Sequence, residues 1–476
     1  MTHPARNPFT LPTGTRCVAL CGALASLLLA ACSTNTPLPP LRKDVPTAWR
    51  NAPAKSETPP GPTPNLDSWW RAFDDTQLDR LIGRALAQNL SLQQAQLRLR
   101  GARALQHRSG TQFQPQLNFR TFAQPDPDAT TSFFEIGFDA LWEFGFFGRG
   151  LGNARIAQAD TATAATEAVA AQVSVIAEVA RSYVDLRAAQ ARAAMLDRIV
   201  VLRGQRADLG RVRLRLHLGS RADADRLEAE LAQAQADAAE PAQSIVAAQQ
   251  ALAVLLAETQ PDADLLADGP QPVLPAVTFA QTPADLLRTR PEIREAELKV
   301  LRAAGELGVA KADLYPKLAL GGTLISSTRL VGNVDRPNKA IPSGGPLIDI
   351  PLFDWGARRD MVMARDTGLQ AAALAYRQAV LEGVAEAETA LAQWRRQRQR
   401  VDAANKILAA SERAAVSAHE LQRIGLADAA DSASAETASA QAKLDRSLAE
   451  HDAALAFIAV YKSFGGSLPP LQMDPR

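Results

Sequence analysis

The sequence predicts a mainly α-helical chain in which one unit is written twice, each copy holding a long helical hairpin and a short β-hairpin. Three observations lead there. Similar segments recur in the same order about 200 residues apart. No Gly or Pro interrupts the stretch from Asn153 to Arg203. Residues 132–144 alternate apolar and polar with period two, which is the signature of a strand with two unlike faces.

The 476-residue chain begins with Arg6 and Arg16 ahead of an apolar run, CVALCGALASLLLAA, at 17–31. That run is short for a bilayer span and ends in small residues, as a secretory signal does. Leu29-Ala30-Ala31-Cys32 resembles a bacterial lipobox. The resemblance implies cleavage before Cys32, a diacylglycerol on its thiol and an acyl chain on its new amino group. Covalent lipid is then the sole prosthetic group expected, with no cofactor. Cleavage removes Cys17 and Cys21, so no disulfide remains to form, and takes the net charge from +1 to −1. Ser33 is consistent with sorting to the outer membrane, and two or more acyl chains make a stable anchor. Pro37, Pro39, Pro40, Pro46, Pro53, Pro59, Pro60, Pro62 and Pro64 mark an extended tether.

The duplication is then read element by element. QFQPQLNF around Pro115 matches DLYPKLAL around Pro316 at an offset of 201. FGRG at 147–150 is aligned with FDWG at 353–356, and LGSRADAD at 218–225 with IGLADAAD at 424–431, both at 206. This alignment places five extra residues in the second copy, between Pro316 and Phe353. Helices are expected at 75–106 and 283–313, where apolar residues recur at three and four. Strands follow at 115–121, 132–144, 316–326 and 347–353. In 132–144 one face carries Phe134, Ile136, Phe138, Ala140, Trp142 and Phe144, and the other Glu135, Asp139 and Glu143. The long helix of the first copy turns at Gly219 and resumes over 222–240. In the second copy 384–424 turns at Gly425 and continues as 426–464. The domain reading is a signal peptide at 1–31, an acylated Pro-rich tether at 32–68, a first repeat at 69–270 with its β-hairpin at about 113–144, a second repeat at 271–467 with its β-hairpin at about 316–353, and a tail at 468–476.

Four strands cannot close a membrane barrel, and an open sheet edge is not tolerated in lipid. If the strands span a membrane, several chains must share one barrel: three chains giving twelve strands, or two giving eight. Ordinary water-exposed hairpins are the alternative.

Several function classes are excluded or disfavoured. A near-neutral balance of 52 Lys+Arg against 51 Asp+Glu argues against nucleic acid as a partner. His107, His217, His419 and His451 are scattered without metal-ligand spacing, and no nucleophile elbow, P-loop or dinucleotide fingerprint occurs. An enzyme is not expected. Arg395, Arg396, Arg398 and Arg400 beside Trp394 read as a solvated helix face, with contact to a partner as the sharper alternative.

Taken together, the lipobox at Cys32, WWRAFDDTQLDRLIGRALAQNLSL at 69–92, WEFGFFGR at 142–149, ADLLRTRPEIREAE at 284–297, GVAKADLYPKLAL at 308–320 and PLFDWGARR at 351–359 resemble the TolC-like outer-membrane efflux protein family, in its lipoprotein (OprM- and NodT-like) branch of resistance–nodulation–division tripartite systems. The resemblance covers about 65–467. Gly145, where the family often has Asp, and Trp355, where a small residue is common, depart from it; little consequence is expected from Gly145. The resemblance implies a homotrimer with a twelve-stranded β-barrel in the lipid of the outer membrane of a Gram-negative cell. It further implies a periplasmic α-barrel, an equatorial belt formed partly by the chain termini, a periplasmic adaptor and a proton-driven inner-membrane pump. The protein would be a passive exit duct for small molecules such as drugs. It also implies an acidic gate at the helix-hairpin turns, at Asp428 and Asp431, with Asp223 and Asp225 in the equivalent turn of the first copy; a ring of like charges favours cations. A capping role is the alternative for these acids. A protein-secretion channel and a non-conducting coiled-coil lipoprotein scaffold are the rival functions. Replacing Cys32→Ser is expected to abolish incorporation of labelled palmitate; retained label would remove the lipobox reading.

Overall fold

The computed structural model describes residues 36–41, 45–51, 64–124, 133–274, 277, 279, 281–329 and 340–466. The signal segment 1–31, Cys32 and the tail 468–476 lie outside the described residues. Among these the helices are α1 (Thr76–Gln88), α2 (Leu90–Thr111), α3 (Arg149–Arg215), α4 (Arg221–Leu255), α5 (Ala263–Leu266), α6 (Leu286–Thr289), α7 (Pro291–Ala312), α8 (Ala357–Arg423) and α9 (Ala429–Phe464). The strands are β1 (Gln116–Gln124), β2 (Phe133–Phe144), β3 (Lys317–Arg329) and β4 (Ala340–Asp349), in one antiparallel sheet of order β1-β2-β3-β4. No described helix is long and apolar enough to cross a membrane.

The described residues form two compact units, and each draws on both sequence repeats. One takes Met1–Leu41, Gly101–Ala162 and Glu297–Ala375; the other takes Arg42–Arg100, Thr163–Ala296 and Tyr376–Arg476.

The structure corrects several sequence expectations. The first helix of each copy is broken, not continuous. Asn89 leaves helical geometry, donates to Leu255 O at 2.9 Å and accepts from Leu92 N–H at 3.1 Å. One repeat later, Arg290 is extended ahead of Pro291, which disfavours helical geometry in the residue before it. Helix α4 does not stop at Glu240: it runs through Pro241 to Leu255, with Pro241 itself buried. Helix α8 begins at Ala357, well before the expected residue 384. The fourth strand is shifted from 347–353 to 340–349, because residues 350–352 have no neighbouring strand among the described residues.

The repeat register also differs from the sequence alignment. The paired positive-φ residues that turn strand into helix are Phe147-Gly148 and Trp355-Gly356, an offset of 208. Helices α3 and α8 both contain 67 residues and start 208 apart. The sheet agrees. Gln116 faces Leu141, and Lys317 faces Asp349. The offset is thus 201 on the first strand of each hairpin and 208 on the second. Seven extra residues, not five, enter the second copy, and they fall between β3 and β4. Matching on the shared Phe and Gly of FGRG and FDWG hid this, because a Trp replaces the first copy's Phe147 at the turn.

In the unit holding the sheet, two glycines set how closely two helices approach. A Cβ on Gly152 of α3 would lie 2.8 Å from Gly305 O and from Val309 Cγ2. A Cβ on Gly305 of α7 would lie 2.7 Å from Gly152 O. Nearby, Gly145 has a packing role of its own: a Cβ there would sit 3.2 Å from Gly150 Cα and from the Phe113 ring.

The other unit is centred on an aromatic cluster. Trp69 stacks on Tyr461 at 5.5 Å between ring centroids, and Phe73, Trp394 and Phe457 pack around them, all buried. Phe279, from the segment linking the repeats, lies 5.7 Å from Tyr461. Desolvation raises the Tyr461 phenol above its ordinary pKa. Pieces of the Pro-rich segment dock here: Trp49 donates to Gln281 O at 2.7 Å, and the Arg50 and Asn51 amides donate to Glu388. Away from the cluster, Leu196, Ile199, Ala234 and Leu444 form a smaller apolar core.

Gly152→Val is expected to destabilise the protein by about 1–3 kcal/mol through overpacking, read as a lowered thermal midpoint in detergent. An unchanged midpoint would show that the Gly152–Gly305 contact is not tight.

Candidate functional site

Two sets of residues, one in each unit, have the chemistry expected of a transport path: the two faces of the sheet and the acidic turns of the helix hairpins.

The strand register places Leu117, Phe119 and Thr121 of β1 beside Ala140, Phe138 and Ile136 of β2. Phe138, Trp142 and Phe144 in turn lie beside Leu324, Leu320 and Leu318 of β3. These residues share one face. The opposite face carries Asn118, Arg120, Glu135, Asp139, Glu143, Lys317, Thr323, Ser343 and Asp349. The alternation read at 134–144 is therefore real in three dimensions on β2, while the polar face of the whole sheet also holds Phe122, Leu141, Ile325, Ile341 and Leu347. Among the described residues neither face is packed on a core: Arg120, Lys317 and Asp349 on the polar face are exposed, as are residues of the apolar face. Phe119 is 59% exposed and Phe138 45%, whereas Glu135, Asp139 and Glu143 are half-buried. Arg120 pairs with Asp139 at 2.9 Å on the polar face, and Thr323 shares a hydrogen bond with Ser343 at 2.7 Å. A contiguous apolar face of this size turned outward marks a surface made for an apolar partner. At the rim, Trp142 donates to Phe113 O at 2.9 Å, and Phe147 stacks on Tyr315 at 5.0 Å. The residues of the second copy that match Trp142 and Phe147, Ile350 and Trp355, are exposed.

At the helix-hairpin turns both copies build the same two caps. Helix α3 ends with Leu218 N–H on Arg213 O at 2.8 Å and His217 N–H on Leu214 O at 3.1 Å. Helix α8 ends with Leu426 N–H on Leu421 O at 2.8 Å and Gly425 N–H on Gln422 O at 3.0 Å. This is the left-handed C-terminal cap favoured by glycine. His217 (φ 59°) fills the role that Gly425 (φ 76°) fills in the second copy, so Gly219 is not the turning residue.

The next helices start with N-caps at Ser220 and Asp428. Asp428 Oδ1 accepts from Asp431 N–H at 2.8 Å, and Asp431 Oδ2 accepts from Asp428 N–H at 3.4 Å, a reciprocal capping box. Arg213 donates to the other Asp428 oxygen at 3.2 Å, joining the two hairpin turns. In the first copy Asp223 N–H donates to Ser220 Oγ at 3.0 Å. The Ser220 hydroxyl donates back to the Asp223 carboxylate at 2.6 Å and holds its pKa below the ordinary carboxylate value. A depressed folded-state pKa means this contribution is present at neutral pH and is lost as pH falls through that value. Asp225 pairs with Arg221 at 3.8 Å, one helical turn away. The structural equivalent of Asp431 is thus Asp223, by position and by cap. All four acids are solvent-accessible. Ile424, Leu426, Leu216 and Leu218 flank them as exposed apolar side chains.

Among the described residues no group of three His, Cys, Asp or Glu side chains could hold a metal ion. His451 contacts Asp185 at 2.7 Å. In the basic cluster, Arg398 lies over the Trp394 ring at 5.7 Å, and Arg400 pairs with Asp452 at 2.9 Å.

Asp428→Ala is expected to cost about 1 kcal/mol at the start of α9 by removing the cap, while Asp428→Asn keeps an acceptor and costs little. Amide hydrogen exchange over residues 429–434 reads the difference; equal exchange in the two variants would contradict the cap.

The likeness to known proteins extends over most of the chain. Nodulation protein T of Rhizobium leguminosarum bv. viciae is 28% identical over 391 residues, covering 79% of this chain and 78% of that protein. The pyoverdine export outer membrane protein OpmQ of Pseudomonas aeruginosa is 29% identical over 406 residues, covering 77% of this chain and 79% of its own. The open-state crystal structure of the Neisseria gonorrhoeae MtrE outer membrane channel superposes with a TM-score of 0.77 at 26% identity, covering 91% of this chain and 98% of that one. Residues 81–258 and 282–466 match the outer membrane efflux protein family, one segment for each repeat. The chain belongs to the outer membrane efflux protein family.

Proposed function

We propose that this outer-membrane efflux protein is the passive, gated exit duct of a tripartite system. An inner-membrane proton-driven pump supplies the energy, and a periplasmic adaptor links it to the duct. The observation that carries the reading is the two-faced sheet: Leu117, Phe119, Ile136, Phe138, Trp142, Leu320 and Leu324 stand exposed on one face, and Arg120, Glu135, Asp139, Glu143, Lys317 and Asp349 lie on the other. That arrangement suits strands with lipid on one side and an aqueous lumen on the other. It is poorly suited to a scaffold held together by coiled coils, which has no use for an outward row of Phe134, Ile136, Phe138 and Trp142.

Three chains would supply twelve strands and close the barrel, and the paired 67-residue helices would form the periplasmic α-barrel. At 1.5 Å per residue such a helix is about 100 Å long. Acylated Cys32 would anchor each chain to the same membrane. Asp428 and Asp431, with Asp223 and Asp225 of the first copy, would ring the periplasmic opening. The caps use one carboxylate oxygen each of Asp431 and Asp223, while both oxygens of Asp428 are engaged, by Asp431 N–H and by Arg213, so Asp431 and Asp223 are the acids best able to present charge. The exposed Leu218 and Leu426 beside them are suited to contact an apolar adaptor tip. The expected cargo is a small molecule such as a drug or other toxic compound; export of pyoverdine by OpmQ has this character. The acylated N-terminus favours this reading over a protein-secretion channel.

Purified protein in a planar bilayer tests the proposal. The expected result is a small, cation-favouring conductance that rises several-fold in the Asp428→Asn, Asp431→Asn double variant, which keeps acceptors for both caps. Absence of any pore would overturn the duct, and an unchanged conductance in the variant would remove the acidic gate.

A further inference from the structure

The two edges of the sheet are complementary in register, charge and apolar surface. We propose that β4 of one copy pairs with β1 of a second copy in a single register, with Asp349 directly opposite the second copy's Arg120. The inference rests on the shared-barrel reading above and adds the register, the ion pair and an extension of β4 to it.

The register follows from the internal repeat. Within the chain, the second strand of copy one pairs with the first strand of copy two, and Leu141 faces Gly321. Asp349 is the repeat equivalent of Leu141, since each lies opposite the first residue of its neighbouring strand, Lys317 or Gln116. Arg120 is the equivalent of Gly321 at the 201 offset. A second copy docked by the same rule therefore puts Arg120 against Asp349. The two residues lie on the same polar face. Across four strands the charges then alternate: Lys317, Asp349, the second copy's Arg120, and Asp139 of that copy, already 2.9 Å from its Arg120. Opposite charges directly across a strand pair stabilise it, and a slip by one residue would put Arg120 on the face opposite Asp349.

The apolar face gives independent support. Trp142 faces Leu320 and Phe144 faces Leu318 within the chain. The same shift sets Ile350 against the second copy's Phe119, and Leu352 against its Leu117. All four are exposed here: Ile350 54%, Leu352 89%, Phe119 59% and Leu117 70%. Trp142 to Phe144 extend beyond the end of β1 and are held as strand by β3 alone. Residues 350–352 correspond to them and lack strand structure, having no such neighbour. Docking the second copy completes β4 through Leu352.

No cysteine follows Cys32 in the sequence, so paired cysteines report the register cleanly. Outer membranes carrying the Arg120→Cys, Asp349→Cys protein are oxidised and run on non-reducing gels. The expected result is conversion of most monomer to cross-linked oligomers, none from either single variant, and little from the slipped pair Phe122→Cys, Asp349→Cys. Stronger cross-linking of the slipped pair, with the unmutated protein oligomeric in mild detergent, would overturn the register while leaving the shared barrel intact. A monomeric unmutated protein that cross-links in neither variant would overturn the shared barrel itself. A charge test stands beside these: Arg120→Asp should lose the SDS-resistant oligomer, and Arg120→Asp with Asp349→Arg should regain it. Failure of the swap to restore the oligomer would refute the ion pair.

Discussion

Backbone hydrogen bonding at the edges of a four-stranded sheet is the constraint from which the functional account follows. In water, unpaired N–H and C=O groups on β1 and β4 can be solvated. In hydrocarbon they cannot, and each unsatisfied group costs several kcal/mol. The sheet nevertheless exposes Leu117, Phe119, Ile136, Phe138 and Trp142 on one face. A sheet that must enter lipid and cannot close alone has to be completed by further copies. Duplication makes this economical. Because β2 and β3 already show how one repeat meets the next, the outer edges inherit a matching pair of surfaces.

The duplication also explains why both hairpin turns look alike in space but not in sequence. A helix that ends and at once restarts needs a left-handed residue, a capping acceptor, and donors for the freed carbonyls. Gly425 and Asp428 meet the need in one copy; His217 and Ser220 meet it in the other. A non-glycine residue at positive φ is unfavourable, and the two hydrogen bonds of the cap hold His217 there. The acids at these turns are therefore structural first. The Asp428 and Asp431 carboxylates fix the start of α9, and Arg213 ties one turn to the other through Asp428. Charge available to the proposed gate is what remains after those bonds are made.

Much of this was legible in the sequence because periodicity survives into structure. Alternation at 134–144 became a strand with the predicted faces, and the Gly- and Pro-free run became the interior of α3. The chain's resemblance to outer-membrane efflux proteins was legible in the same motifs. Other features depended on tertiary contacts with no local signature. Asn89 breaks a helix because Leu255, far along the chain, offers a carbonyl to its amide. Pro241 is accommodated within a helix that the sequence pattern would have ended there. The aromatic cluster joins Trp69, Phe279, Trp394 and Tyr461 from four separated segments, so no window of the sequence reveals it. The repeat register was misread by two residues because similar letters fell beside, not on, the residues that adopt positive φ.

The central claim is that the apolar face of the sheet lies in lipid. A nitroxide scan along Phe134–Trp142 in outer-membrane vesicles tests it most directly. The account predicts period-two accessibility. Labels at 134, 136, 138, 140 and 142 should be relaxed by dissolved oxygen, and those at 135, 137, 139 and 141 by a water-soluble nickel complex. Equal exposure of both sets to the nickel complex would place the strands in water and contradict it.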